Sequence, residues 1–146
     1  MKTQLKILLV GILFSFATLS CEDDNDISNM LLGEWKCVGF GETENNVVRE
    51  IEPQDCSECY ILIFKKDGAV EGSTSTNEVM GEYDINTSTK ELKFVRFGGT
   101  EINELFDGEE YVEAIFDVYS YEITSTNTLY LYYKQDMFLI YNYIVK

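Results

Sequence analysis

The chain has 146 residues, of which 45% are hydrophobic and 25% charged, a composition that fits one globular domain and excludes a disordered or collagen-like protein. Its 26 acidic residues outnumber the 11 basic ones, so a net charge of −15 would repel nucleic acid and anionic lipid headgroups. There is no histidine, which excludes most hydrolase triads. We therefore expect no nucleic-acid partner.

The N-terminus has the pattern of an export signal. Lys2 and Lys6 precede the apolar run Ile7–Leu19, whose 13 residues are fewer than the roughly 20 that a membrane-spanning helix needs. Ser20 and Cys21 follow directly, and a small residue before such a cysteine resembles the bacterial lipobox. We predict a lipoprotein signal peptide over residues 1–20 and a lipidated Cys21 as the membrane anchor. The alternative is a secreted protein cut near Ser20.

An acidic segment follows this anchor. Four of the five residues from Glu22 to Asp26 are acidic, and we expect residues 21–30 to form a solvated, disordered tether. An acidic cluster directly after a lipidated cysteine resembles the surface-export signal of Bacteroidota lipoproteins. The resemblance implies a place in the cell envelope, on the outer face of the outer membrane. The alternative is a plain spacer.

The remaining residues, 31–146, are predicted to form one β domain. Apolar and polar residues alternate, and Gly, Asn, Asp, Ser and Thr interrupt the runs at short intervals. Asp67-Gly68 is a tight-hairpin signal because both residues tolerate positive φ. The predicted strands are 33–40, 47–51, 59–65, 69–73, 79–86, 91–97, 119–124, 128–133 and 137–145. We predict a mainly β fold, with an antiparallel curled sheet or small barrel of about eight or nine strands and one packed helix.

The packed helix is predicted over residues 109–118. Its apolar face has the i, i+3, i+4, i+7 spacing and consists of Tyr111, Ala114, Ile115 and Val118. Asp107 is the expected N-cap, with Glu110 three residues later in the position of a capping box.

One set of residues has a specific spacing. Phe64, Asp67, Gly68, Gly72, Asn77, Gly81 and Tyr83 form the pattern F-x-x-D-G-x3-G-x4-N-x3-G-x-Y, accompanied by Thr100 and the opening Gly33-Glu34-Trp35. This pattern resembles the META domain, the family of HslJ-type heat-shock lipoproteins. The resemblance implies a small antiparallel β fold with a packed helix, in an envelope lipoprotein linked to stress tolerance with no established catalytic residues. The main alternative is a small lipocalin-like barrel.

Three of these motif residues have a physical interpretation of their own. Gly72 and Gly81 suggest β-bulges or close backbone contacts. Asn77 is expected to close its own loop through an Asx-turn, and the alternative for its side chain is contact with a ligand.

Three cysteines remain after the anchor, and an exported domain meets an oxidising compartment, so we expect a disulfide. Cys56 with Cys59 is the favoured pair, and Cys37 with either of them is the alternative. A redox-active Cys-x-x-Cys is disfavoured because a strand follows instead of a helix N-terminus. Zinc is disfavoured by three cysteines without histidine, and we expect no metal site and no cofactor.

Acidic and aromatic side chains are the remaining candidates for a site. An acidic cluster before the helix consists of Glu101, Glu104, Asp107, Glu109 and Glu110. Paired carboxylates serve glycoside hydrolysis or calcium binding, but in so acidic a chain we favour a solvated surface. A C-terminal aromatic run consists of Tyr130, Tyr132, Tyr133, Phe138, Tyr141 and Tyr143. It spans both strand faces, so some rings are expected to be exposed and available to sugars or proteins.

The favoured hypothesis is a monomeric, non-enzymatic surface lipoprotein. It would support envelope integrity or bind an envelope protein or glycan through its acidic, tyrosine-rich face. The alternative is a lipocalin-like carrier of a small apolar ligand or glycan. An enzyme that uses the acidic cluster and an inhibitor that presents a protruding loop at 41–46 are further hypotheses.

Overall fold

The structure is a computed structural model that describes residues 24–45 and 47–145. The predicted signal peptide and Cys21 lie outside the described residues. The two described helices are α1 (Asp24–Leu31) and α2 (Gly108–Phe116). The nine described strands are β1 (Gly33–Glu42), β2 (Val47–Glu50), β3 (Ile61–Phe64), β4 (Ala69–Ser73), β5 (Glu78–Asn86), β6 (Glu91–Gly99), β7 (Val118–Ile123), β8 (Thr128–Tyr133) and β9 (Met137–Tyr143).

Eight of these strands close into an antiparallel barrel. Neighbours follow the order β1, β3, β4, β5, β6, β7, β8, β9, and β9 pairs back with β1 along most of its length. Strand β2 is the extra one, and it pairs with the second half of β1, from Gly39 to Glu42. The predicted fold class, a mainly β barrel of eight or nine strands with a packed helix, is confirmed.

Alternation along the strands explains how the barrel is filled. In β8 the buried residues are Leu129, Leu131 and Tyr133, and the residues between them are only half buried. The same period in β1 buries Trp35 and Cys37. Successive side chains of a strand point to opposite faces, so each strand sends every second residue into one common core.

Helix α2 lies across the barrel, where two strands separate. Strands β6 and β7 pair only at Glu91 and Ser120 among the described residues. The Tyr111 ring on α2 contacts Tyr60, just before β3, and Phe116 at the end of α2 contacts Phe97 on β6. Tyr111, Ala114 and Ile115 of the predicted apolar face are buried in this helix. The helix ends at Phe116, two residues earlier than predicted, and Val118 is instead the first residue of β7.

The segment expected to be a tether is helical from Asp24 onward. Leu31 at the end of α1 is fully buried, and its carbonyl oxygen accepts a hydrogen bond of 2.8 Å from Trp35 Nε1. This contact with the first barrel strand holds the end of the helix in place, which composition alone did not indicate.

The third strand begins at Ile61, two residues later than predicted. Tyr60 has a positive φ of 56°, which interrupts the extended backbone. Its ring is fully buried, and its hydroxyl donates a hydrogen bond of 2.5 Å to the carbonyl oxygen of Glu52. Cys59 and Tyr60 therefore belong to the loop before β3.

Candidate functional site

Large aromatic side chains form part of the buried core of the barrel. Trp35, Tyr60, Phe64, Tyr111 and Tyr141 are each at most 2% exposed. The Tyr141 hydroxyl donates to the Tyr111 hydroxyl at 3.0 Å, and the Tyr111 and Tyr60 ring centres are 5.1 Å apart. An eight-stranded barrel is wide enough for packed side chains or for one small ligand. Here buried side chains fill the core.

Cys37 is a free thiol inside this core, and burial raises its pKa to about 12. A protonated thiol is a weak nucleophile at neutral pH, so the residue behaves as a small apolar group. Cys56 and Cys59 form a disulfide in the loop before β3. Lys36 Nζ donates hydrogen bonds to the carbonyl oxygens of both disulfide residues, and burial lowers its pKa.

Asn77 joins two distant segments. Its amide oxygen accepts from Thr100 Oγ1 at 2.7 Å and from the Ile102 backbone at 3.0 Å. Its amide nitrogen donates to the Ile102 carbonyl at 2.7 Å and to Glu104 at 2.6 Å. The expected Asx-turn is wrong, because Thr74 Oγ1 accepts the turn amides of Thr76 and Asn77 instead. Asn77 thus fastens the chain before α2 to the β4–β5 turn.

A second link holds the N-terminus of α2. The Arg49 guanidinium on β2 binds Asp107 at 2.6 Å and Glu110 at 2.7 Å, and it lies 4.4 Å above the Phe40 ring. The same Asp107 oxygen accepts the Glu52 amide at 2.8 Å. Asp107 is the N-cap residue of α2, as predicted, but the capping box is wrong, because the Asp107 side chain makes no cap bond and binds Arg49 on β2 instead.

The acidic cluster is therefore only partly solvated surface. Glu104 accepts hydrogen bonds from Thr74 and Ser75 as well as from Asn77, and Asp107 and Glu110 bind Arg49. Within residues 24–45 and 47–145, no group of three or more Cys, Asp or Glu residues is arranged to hold a metal ion. In the acidic cluster, the carboxylates of Glu104, Asp107 and Glu110 join segments of the fold.

Other motif residues build the β3–β4 hairpin. Gly68 has φ of +86°, and Asp67 Oδ1 accepts the Ala69 amide at 3.0 Å across the turn. The Tyr83 hydroxyl donates to the Lys65 carbonyl at 2.8 Å, and its ring packs edge-on against Phe64.

Gly72 and Gly81 lie where a neighbouring backbone leaves no room for a side chain. A Cβ at Gly72 would be 1.8 Å from the Ile61 carbonyl oxygen, and one at Gly81 would be 1.8 Å from that of Arg96. The motif glycines are thus explained by strand packing in the barrel.

The tyrosine-rich face is divided between the inside and the outside of the barrel. Tyr133 and Tyr141 point inward and are buried. On the outside, Phe138 lies between Tyr130 and Tyr132, with ring centres 5.4 and 5.8 Å from it. These outer rings are half buried and pack mainly on one another.

The loop considered as an inhibitor segment does not protrude freely. Gly41 and Glu42 belong to β1, and the Thr43 amide donates to the Asp136 carbonyl at 2.9 Å. Asn46 lies outside the described residues. The described part of this loop is therefore tied to the β8–β9 turn.

A groove between α2 and the end of β6 was not predicted. It has a volume of about 350 Å³, and its lining includes Phe97, Ile102, Val112, Glu109 and Glu113. We call it the α2–β6 groove. The only hint in the sequence is the broken alternation at Phe94-Val95, where the structure has a β-bulge against β5. The groove exists because β6 and β7 separate beyond Glu91. This separation depends on residues far apart in the sequence, which local patterns do not predict.

Several comparisons place the chain among known proteins. In the described part, no helix is long and apolar enough to cross a membrane. The fold is similar to a protein from Burkholderia xenovorans solved by NMR, at 15% identity and a TM-score of 0.65, over 85% of this chain and 90% of that one. It is also similar to a crystal structure of a DUF4847 family protein from Bacteroides vulgatus, at 14% identity and a TM-score of 0.62, over 83% of this chain and 99% of that one.

The family assignment from the sequence has to be corrected. No curated protein matches the chain significantly, and the META resemblance is wrong, because the family found is a different one. The residues that resembled the META motif are turn residues and glycines at close contacts, and such residues occur in many antiparallel barrels. The family described as "Domain of unknown function (DUF4847)" matches residues 24–141, and the chain belongs to this family.

Proposed function

We propose that the protein is a non-catalytic binding module of the cell envelope, held on the outer membrane by a lipidated Cys21, and that its partner binds the outer surface of the barrel. The observation that carries this proposal is the filled interior. Trp35, Tyr60 and Tyr111 are at most 1% exposed and belong to one packed core, whereas a carrier of this strand number would keep space for its ligand inside. A partner would therefore bind the outer surface of the barrel.

The carboxylates support a binding role over a catalytic one. A pair of catalytic acids would converge on a cleft. Here Asp107 and Glu110 share Arg49, and Glu104 is bonded to Asn77. These bonds hold the α2 segment against the barrel, which accounts for Glu104, Asp107 and Glu110 without a reaction. Glu109 and Glu113 line the α2–β6 groove, where they supply charge for a partner.

The envelope location is proposed from the sequence. The basic start, the apolar run and Ser20-Cys21 support it. Intact mass of protein purified from its native membrane tests it. We expect a diacylglycerol-sized increment that disappears in Cys21→Ala and persists in Cys37→Ala. An unmodified mass in the wild type would contradict the anchor.

The carrier hypothesis keeps one observation in its favour, the closed eight-stranded barrel. Trp35 is the one tryptophan of the chain and lies in the core, so it reports directly on the interior. A neutral lipophilic fluorophore, N-phenyl-1-naphthylamine, is titrated into the protein while energy transfer from Trp35 is followed. A filled barrel gives no saturable transfer. Saturable transfer at one probe per protein would favour the carrier and contradict the proposal.

A further inference from the structure

We infer that the outer edge of β6 accepts an extended peptide as an added strand, from a partner segment that alternates apolar residues with lysine or arginine. The inference rests on the proposed function, since it names the partner for the outer surface. Beyond Glu91, this edge pairs with no strand in the described ranges 24–45 and 47–145, and its neighbour there is helix α2, which contacts Phe97 through Phe116 and leaves the groove between them. Open strand edges are templates for strand addition.

The direction of the backbone groups supports an available edge. The Thr100 amide donates to the Glu78 carbonyl at 3.1 Å, so the backbone of Thr100 is directed toward β5. Hydrogen-bonded and non-hydrogen-bonded pairs alternate along an antiparallel ladder. The pairs Gly99 with Val79 and Phe97 with Gly81 are therefore the non-bonded ones. The amide and carbonyl groups of Gly99 and Phe97 consequently face away from β5.

Depressions flank this part of the strand. The α2–β6 groove lies on one side, and a second depression of about 590 Å³ lies beside Met80 and Arg96. Phe97, Gly98 and Gly99 line both. Successive side chains of an added strand point in opposite directions, so each depression would receive alternate residues. Apolar partners are available on the protein, because Ile102 is 60% and Val95 54% exposed.

Charge selects a basic peptide. Glu109 and Glu113 are exposed one helical turn apart on α2 and line the groove. Arg96, which lines the second depression, forms an ion pair with Glu82 at 2.8 Å, so its charge is balanced. Lys93 lies nearer the Glu91 end, opposite Asp84. A net charge of −15 adds attraction for a basic segment and repels a second copy of this chain.

The probe is a synthetic nine-residue peptide, alternating valine and lysine and carrying a fluorescent label, which is long enough to cover the part of β6 beyond Glu91. Binding is followed by fluorescence anisotropy. A valine–glutamate peptide tests charge, and a peptide of the same composition with all lysines at one end tests alternation. We expect the alternating basic peptide to bind at least about tenfold more tightly than either control. Equal binding of the two basic peptides would overturn strand addition.

Matched variants locate the site. Val95→Lys places a charge on the open edge of β6, as natural edge strands do to prevent pairing. Val47→Lys is the control, because Val47 is also 54% exposed but lies on β2. We expect Val95→Lys to weaken binding by about tenfold or more and Val47→Lys to leave it unchanged. Equal losses, or a loss confined to Val47→Lys, would overturn the assignment to β6.

Two double variants, each of which removes two carboxylate charges, test the contribution of the α2–β6 groove. Glu109→Gln with Glu113→Gln removes two charges beside β6, and Glu44→Gln with Glu50→Gln removes two on the β1–β2 hairpin. We expect the first pair to weaken binding about fivefold at low salt and the second pair to have little effect. Equal effects would mean that net charge alone attracts the peptide, which contradicts a site at the groove.

Amide hydrogen exchange gives a direct readout. The Phe97 and Gly99 amides should exchange fast in the free protein and become protected with the peptide bound, while the Gly98 amide is protected in both states. No new protection at Phe97 and Gly99 would contradict the inference. A protein that dimerises with concentration, and loses the dimer in Val95→Lys, would also contradict it, because the occupant would be a second copy.

The failure of this inference can be told from the failure of the proposed function. If the peptides fail to bind while the lipophilic probe is still excluded and Cys21 is still lipidated, only the β6 edge is wrong. If the probe enters the barrel, the proposed function fails whatever the peptides do.

Discussion

The hydroxyl groups of Tyr141 and Tyr111 meet at 3.0 Å in the core, with Tyr141 on the last strand and Tyr111 on helix α2. Both side chains are fully buried. Tyr141 donates and Tyr111 accepts this hydrogen bond, so the bond joins helix α2 to the last strand inside the core.

Phenylalanine substitutions test this pair. We expect Tyr141→Phe and Tyr111→Phe each to lower the free energy of unfolding by about 1–2 kcal/mol, because each leaves one buried hydroxyl without its partner. The double variant should cost less than the sum, since no unpaired hydroxyl remains. Urea unfolding followed by Trp35 fluorescence measures all three. Strictly additive losses would contradict a direct interaction.

The buried cysteine thiol and tyrosine hydroxyls predict how the free energy of unfolding depends on pH. Burial raises the pKa of Cys37 and of Tyr133 to about 12, and it raises those of Tyr111 and Tyr141 well above their usual value. In the unfolded chain these groups lose protons from about pH 8.5 for cysteine and about pH 10 for tyrosine. Above those values the unfolded state binds fewer protons than the folded state. The free energy of unfolding should therefore stay level near neutral pH and fall as pH rises from about 9 toward 12.

Urea unfolding at a series of pH values measures this slope. Cys37→Ala and Tyr133→Phe remove two of the titrating groups, and each should make the decline shallower. A profile that is flat up to the highest pH, or a decline unaffected by both variants, would count against the buried protons as its cause.

The Asn77 contacts predict an unequal pair of asparagine variants. Asn77→Ala removes four hydrogen bonds from a buried position and should cost about 2–3 kcal/mol. Asn86→Ala is the control, since its exposed side chain accepts only two amides of a hairpin turn. It should cost less than about 1 kcal/mol. Hydrogen exchange should also show faster opening of residues 100–107 in Asn77→Ala alone.

Local patterns were enough to predict the strands and the helix. Alternation and turn residues predicted nine strands near the observed ones, and the spacing of Tyr111, Ala114 and Ile115 predicted the buried face of α2. These features depend on residues a few positions apart. Turn residues misled the family assignment for the same reason, because Asp67-Gly68 reports a hairpin that many families share.

Long-range contacts account for what the sequence did not predict. Arg49 lies 58 positions before Asp107, and Asn77 lies 25 positions before Ile102. The separation of β6 from β7 likewise depends on how the whole barrel closes. The α2–β6 groove results from this separation, so no sequence motif predicts it.

Three glycines predict opposite outcomes for the same substitution. A Cβ at Gly72 or Gly81 would be 1.8 Å from a backbone oxygen of the adjacent strand, whereas one at Gly98 has no atom within 4 Å. Backbone in a closed barrel cannot move aside, so Gly72→Ala and Gly81→Ala should each cost about 3 kcal/mol. Gly98→Ala should change stability by less than about 1 kcal/mol, with a gain possible because alanine has fewer unfolded conformations than glycine. Chemical unfolding of the three variants side by side measures the contrast, and a large loss in Gly98→Ala would mean that the sheet face at Gly98 is not open as the structure has it.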